Sequence, residues 1–181
     1  MSTPPTREEL VTRLTERSAQ LEQWLAARTP EELERPLTTS EVAGGAMWSA
    51  KDHLAHAIGT ERYLAGVARR TLDGAEDPAG FYTRLGALDE ATVMQAINES
   101  NQAAYLKYHD TPLADLLVRM RETRQATLAF LTSLSEEQLD QRSAHSPFGH
   151  GTVRDLFRQM SHHYQEHLHW LMSAWDETAP E

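Results

Sequence analysis

Nine residues near the C-terminal end, HHYQEHLHW at 162–170, hold four of the nine histidines in the chain. A neutral imidazole offers a nitrogen lone pair to a divalent metal near physiological pH. Two imidazoles four residues apart stand one turn apart on a helix, the spacing by which a helix presents two ligands to one ion. The four cannot all share one face. Val153, Phe157, Met160, Tyr164, Leu168 and Leu171 set the inward direction at about 100° per residue. His167 falls inside that sector and His163 on its edge, whereas His162 and His169 project to the opposite side beside Asp155 and Glu166. His163 and His167 are the candidate ligands, and His162 and His169 are expected to face water.

An i, i+4 pair alone is a weak signal, because a buried histidine is more often hydrogen-bonded packing than a ligand. A divalent ion needs at least a third donor, and helical bundles supply it from a facing helix. An earlier helical segment offers two, His53 and His56. His53 leans nearer the apolar side, while His56 lies on a flank with Thr60, Tyr63 and Val67, and periodicity leaves the choice open. Glu61 falls in the middle of the same apolar stripe, where a buried carboxylate needs a partner. Either an arginine pairs with it as core structure, the better expectation, or it accepts the free N–H of a ligating imidazole.

The elements that would carry these residues are legible from periodicity and caps. Thr6 with Glu9 opens a long amphipathic helix reaching about Arg28, with Leu10, Leu14, Leu21 and Leu25 on one side. Thr29, Pro30 and Glu32 mark a short extra turn, and a loop with Gly44 and Gly45 leads to Trp48. Ser49 with Asp52 starts the second long helix, to about Arg70. Residues 72–89 mix glycine, proline and aspartate and read as a long surface loop. Helical periodicity resumes near Glu90, breaks at Pro112 and continues through Leu131. LSEEQL at 134–139 echoes the earlier TPEEL, a second loop passes Pro147 and Gly149, and Thr152 with Asp155 caps the last helix, to about Ala174. No strand-like alternation of useful length is visible, so the expectation is an all-α four-helix bundle with short accessory helices and a long loop between helices 2 and 3. Each half shows helix, acidic turn, loop and a helix opened by S-A-K-D or T-V-R-D. Duplication and the ordinary punctuation of bundles are both open readings, the second slightly favoured.

The 181 residues suit one domain, 1–181, with an ordered core of about 6–175. A formal charge of −10 opposes attraction to phosphate backbones and anionic lipid surfaces. With neither a signal-like start nor a long apolar run, the expected protein is soluble and cytoplasmic, without nucleic-acid or membrane partners. The chain has no cysteine. Any thiol chemistry must therefore use a thiol brought in by a ligand.

The run MWSAKDHLAHAIGTE at 47–61 and the ending GTVRDLFRQMSHHYQEHLHWL at 151–171, with REELVTRL at 7–14 and AIN at 96–98, resemble DinB-like proteins over nearly the whole chain. That superfamily includes thiol-dependent S-transferases, the mycothiol-dependent maleylpyruvate isomerases and the ClbS/DfsB group. The resemblance implies a four-helix bundle, commonly a homodimer, whose metal ligands are the histidine of L-A-H and the two of H-x-x-x-H. Here these are His56, His163 and His167, so the resemblance selects His56 over His53.

Three imidazoles leave a coordination position open, as catalytic sites do, and discriminate poorly among zinc, nickel and ferrous iron. The leading expectation is a metal-dependent thiol S-transferase or hydrolase acting on a small molecule, with a low-molecular-weight thiol as possible co-substrate. Tyr63 and Trp170 lie on the ligand side of their helices and are candidates to line the pocket; the catalytic residues are not identified. The alternatives are a non-catalytic protein that binds or sequesters a small molecule, and a structural dimeric bundle with packed histidines.

Overall fold

The computed structural model describes residues 3–39, 45–80, 89–146 and 149–178. The order of elements is α1 (Arg7–Ala26), α2 (Pro30–Glu34), β1 (Pro36–Thr39), β2 (Met47–Ser49), α3 (Ala50–Leu72), α4 (Glu90–Tyr108), α5 (Leu113–Ser133), α6 (Glu136–Leu139), β3 (Arg142–Ser146), β4 (Gly149–Thr152) and α7 (Val153–Thr178). Helices α1, α3, α5 and α7 form the bundle: α1 and α3 each pack against both α5 and α7. Helix α4 lies outside it, against α3.

Local sequence explains where the helices begin. Thr6 and Glu9 exchange hydrogen bonds through side chains and backbone N–H groups, as do Thr29 with Glu32 and Ser49 with Asp52. Such reciprocal caps satisfy amide donors that the first helical turn leaves unpaired. The Thr152 amide donates to Asp155 Oδ2, and the Asp155 amide donates back to Thr152 Oγ1. Pro112 stands as the N-cap of α5 in an extended conformation, so the third helical region is two helices that meet at a proline.

Leucines at three- and four-residue spacing then drive assembly. Leu10, Leu14, Leu21 and Leu25 of α1 are fully buried, as are Leu54 and Leu64 of α3 and Phe157, Met160, Tyr164 and Leu171 of α7. Each such side chain contributes on the order of 1.5–3 kcal/mol on burial. Among the described residues the core has two clusters, one around Leu10, Leu14, Leu64 and Phe157, the other around Leu21, Leu25, Leu54, Tyr164 and Leu171.

Two short antiparallel hairpins were not visible as alternation. Strands β1 and β2 pair Thr38 opposite Trp48 and Thr39 opposite Met47; β3 and β4 pair Arg142 opposite Thr152 and Ser143 opposite Gly151. Strands of three to five residues are too short for a period-2 pattern to stand out. The hairpins extend the likeness of the halves: long helix, short capped helix, hairpin and capped long helix occur twice. The cation after each cap behaves alike. Lys51 Nζ reaches Glu34 on α2, at 3.1 Å, and Arg154 reaches Glu136 on α6, at 2.7 Å, and Asp140, at 2.8 Å.

The segment expected as a long loop after α3 turns at Gly74 and Gly80, both at positive φ, where glycine carries no Cβ penalty. Its remainder, 81–88, lies outside the described residues, as do Gly44 and Pro147. Among the described residues, no helix is long and apolar enough to cross a membrane.

Candidate metal centre

Helices α3 and α7 run antiparallel, so side chains climbing one meet side chains descending the other. His53 of α3 meets His167 of α7, and His56 of α3 meets His163 of α7. The pairing brings together four imidazoles from segments more than one hundred residues apart.

Three of them converge through the same atom. The Nε2 of His163 lies 3.2 Å from that of His56 and 3.1 Å from that of His167, and ligand atoms of all three lie within 4.8 Å of one another. Ligands about 2.05 Å from a tetrahedral ion stand about 3.3 Å apart. The two contacts that His163 makes therefore have nearly the spacing of a tetrahedral edge. His163 and His167 are buried, and of the three His56 alone keeps appreciable accessible surface.

Burial also fixes the protonation state. Desolvation, with a smaller push from neighbouring His56, lowers His53 to about 4. Desolvation likewise lowers His56 to about 4, because protein surrounds its ring although the residue as a whole keeps some accessible surface. His163 and His167 are pushed well below the usual imidazole range, first by burial and then by the other imidazoles. All four are neutral at pH 7, so each keeps a ring lone pair. The crowding is awkward without an ion. The Nε2 of His163 faces two ring nitrogens at once, and its buried Nδ1 has no hydrogen-bond partner among the described residues. A donor set of neutral imidazoles with convergent Nε2 atoms fits a divalent first-row metal.

The hairpin before α3 builds the wall of this site. Trp48 of β2 is buried, and its ring packs on both α3 histidines, with centroids 5.3 Å from His53 and 5.1 Å from His56. Its cross-strand neighbour Thr38 places Oγ1 2.7 Å from His53 Nε2. Thr60, one turn after His56, has its hydroxyl 3.4 Å from His56 Nε2.

The structure distributes the other candidates differently. Trp170 borders the site, edge-on to His167 at 5.0 Å, and is 42% exposed. Tyr63 donates its hydroxyl hydrogen bond to the Ala79 carbonyl oxygen, at 3.1 Å, in the segment after α3. Glu61 is buried against Arg124 of α5 at 2.9 Å and accepts a 2.8 Å hydrogen bond from the Tyr164 hydroxyl; among the described residues no hydrogen bond joins it to an imidazole. His162 is exposed and pairs with Glu166 at 3.3 Å, and His169 is exposed.

His53, Trp48 and Thr38 belong to the surroundings of the site although neither helical periodicity nor the family resemblance assigns them there. His53 had a signal, since it precedes His56 by three residues and can share its face. Trp48 stood in the quoted run as a landmark only. Thr38 had none, because only the β1–β2 pairing brings it to α3.

The sequence model of the DinB superfamily matches residues 41–171 of the chain. No curated protein and no solved structure matches it. The match spans most of the chain and contains both histidine pairs and the helices that carry them, so the chain belongs to the DinB superfamily.

Proposed function

We propose that this member of the DinB superfamily holds one divalent zinc, nickel or ferrous ion on His56, His163 and His167 and is an enzyme of the thiol S-transferase or hydrolase type, acting on a small molecule. One observation carries the reading: Nε2 atoms from two helices converge, that of His163 lying 3.2 Å from that of His56 and 3.1 Å from that of His167.

The chain's own residues prepare the site in three ways. Burial keeps the imidazoles unprotonated, so no proton has to leave them before they donate lone pairs. Trp48 and the α3–α7 packing hold the rings in place, limiting the ordering cost of binding. The surface that His56 keeps accessible leaves an approach for a small molecule, and Trp170 offers an aromatic surface beside His167. When bound, a divalent ion with an open position lowers the pKa of a coordinated water or thiol, supplying hydroxide or thiolate near neutral pH. Because the chain has no cysteine, a thiol nucleophile is an external low-molecular-weight thiol. A homodimer belongs to the same proposal and is tested by sedimentation.

Protein purified without chelator or a nickel column is analysed for metals, then loaded and incubated with a panel of thiols and electrophiles. The proposal expects one ion per chain and thiol- or water-dependent turnover that disappears in His163→Ala and His167→Ala. Metal binding with tight capture of an electrophile and no turnover would convert the reading to sequestration. No stoichiometric metal would overturn it.

A further inference from the structure

Resting on the metal reading, we infer that His53 is a positioning residue for the centre: it accepts the Nδ1 proton of His167 and so commits His167 Nε2 to metal binding. The geometry is tight. His53 Nδ1 and His167 Nδ1 are 2.7 Å apart, both rings are almost fully buried, and His53 Nε2 is 2.7 Å from Thr38 Oγ1. Two ring nitrogens at that distance share a single proton; two lone pairs would repel and two N–H groups would collide.

That constraint leaves the row Thr38–His53–His167 two polarities. In the first, Thr38 donates to His53 Nε2, His53 Nδ1–H donates to His167 Nδ1, and the His167 proton is on Nε2. There it blocks the lone pair the centre needs. In the second, His167 Nδ1–H donates to His53 Nδ1, and His53 Nε2–H donates to Thr38 Oγ1. His167 Nε2 is then free to bind. Only the second is compatible with His167 as a ligand, so the three side chains act as one unit. Ligating imidazoles generally pass their second N–H to an acceptor, which fixes tautomer and ring orientation. That acceptor is usually a carboxylate, carbonyl or water; here it is another imidazole, anchored through its far nitrogen to strand β1. The arrangement also explains a buried histidine with no lone pair directed at the Nε2 trio. His53 is therefore not a fourth ligand, and Trp48, packed at 83° to its ring, holds it in plane for the task.

The test uses zinc and the 181-residue chain, with four proteins: wild type, His53→Leu, His53→Asn and Thr38→Val. Zinc affinity is read by competition with a chelating indicator. His53→Leu removes the acceptor and is expected to weaken zinc binding 10- to 100-fold. His53→Asn puts a carbonyl oxygen close to the place of Nδ1 and is expected to bind within a few-fold of wild type. Thr38→Val is expected to show an intermediate loss. The second readout does not depend on any variant folding: ¹⁵N NMR of the histidine rings in zinc-loaded wild type should show His167 protonated on Nδ1 and His53 on Nε2. A His53→Leu protein that binds zinc like wild type, an asparagine variant as impaired as leucine, or a His53 proton on Nδ1 in the loaded protein would overturn the inference while leaving the metal centre intact. Wild-type protein that takes up no zinc, nickel or iron would instead overturn the metal reading beneath it.

Discussion

Replacing Arg124 by methionine tests whether Glu61 belongs to the core or to the metal centre. The Arg124 and Glu61 side chains are 8% and 0% exposed, and Nη2 approaches Oε2 at 2.9 Å. The Tyr164 hydroxyl donates to the same carboxylate, and the guanidinium lies 4.7 Å over the Tyr164 ring. Yet the pair is incompletely satisfied. Its close approach is not an aligned hydrogen bond, and Glu61 Oε1 and the three guanidinium nitrogens have no hydrogen-bond partner among the described residues. Removing one ion of such a pair leaves an uncompensated buried charge and costs about 3–5 kcal/mol. For a chain of this length that lowers Tm by roughly 6–20 °C. Removing both ions discards the desolvation penalty as well, so Glu61→Leu with Arg124→Met is expected within about 1–2 kcal/mol of wild type, on either side. Urea unfolding of the chelated proteins, followed by circular dichroism, gives the three free energies, and zinc competition is measured on each folded variant. A large single-variant loss, recovery in the double variant and unchanged zinc affinity in both are expected. An Arg124→Met protein destabilised by less than about 1 kcal/mol, or a double variant with strongly weakened zinc binding, would refute that expectation.

The metal-free protein should lose stability on mild acidification. His53 and His56 titrate near 4 in the folded chain against 6.5 unfolded, so between those values the unfolded chain binds protons that the folded chain does not. Their contribution is complete above pH 6.5 and falls by about 2 kcal/mol for each by pH 5; urea midpoints with chelator that stay flat from pH 7 to 5 would contradict the burial argument. Arg154 ties α7 to Asp140, to Glu136 and to the Pro5 carbonyl. Because its carboxylate partners are largely exposed and can rehydrate, Arg154→Ala is expected to cost roughly 2 kcal/mol, measured by the same unfolding curves. Ser49→Ala removes the cap that starts α3 and is expected to cost about 1 kcal/mol while leaving a centre that still binds zinc, read by the same competition.

Much of this architecture was written in local pattern. The caps at Thr6, Thr29, Ser49 and Thr152 could be read because each places an acceptor three residues before its reciprocal partner, a relation contained within one turn. The inward direction of α7 was legible because Phe157, Met160, Tyr164 and Leu171 repeat at helical spacing, and it separated the buried His163 and His167 from the exposed His162 and His169. What local pattern lacked was information across elements. The partner of Glu61 depended on the register of α3 against α5. The place of His53 depended on the register of α3 against α7 and on a hairpin too short to announce itself. Periodicity left His53 and His56 as alternatives for a single role, whereas the structure gives both a place: His56 turns Nε2 toward the trio, and His53 bonds His167 and Thr38.

The most direct test of the metal centre is diffraction from crystals of protein never exposed to chelator or a nickel column, with data collected on both sides of the zinc, nickel and iron absorption edges. The account predicts one anomalous peak per chain, at about 2.0–2.1 Å from Nε2 of His56, His163 and His167, with His53 outside the coordination sphere. A map without a peak at that position, or a peak held by other side chains, would contradict it.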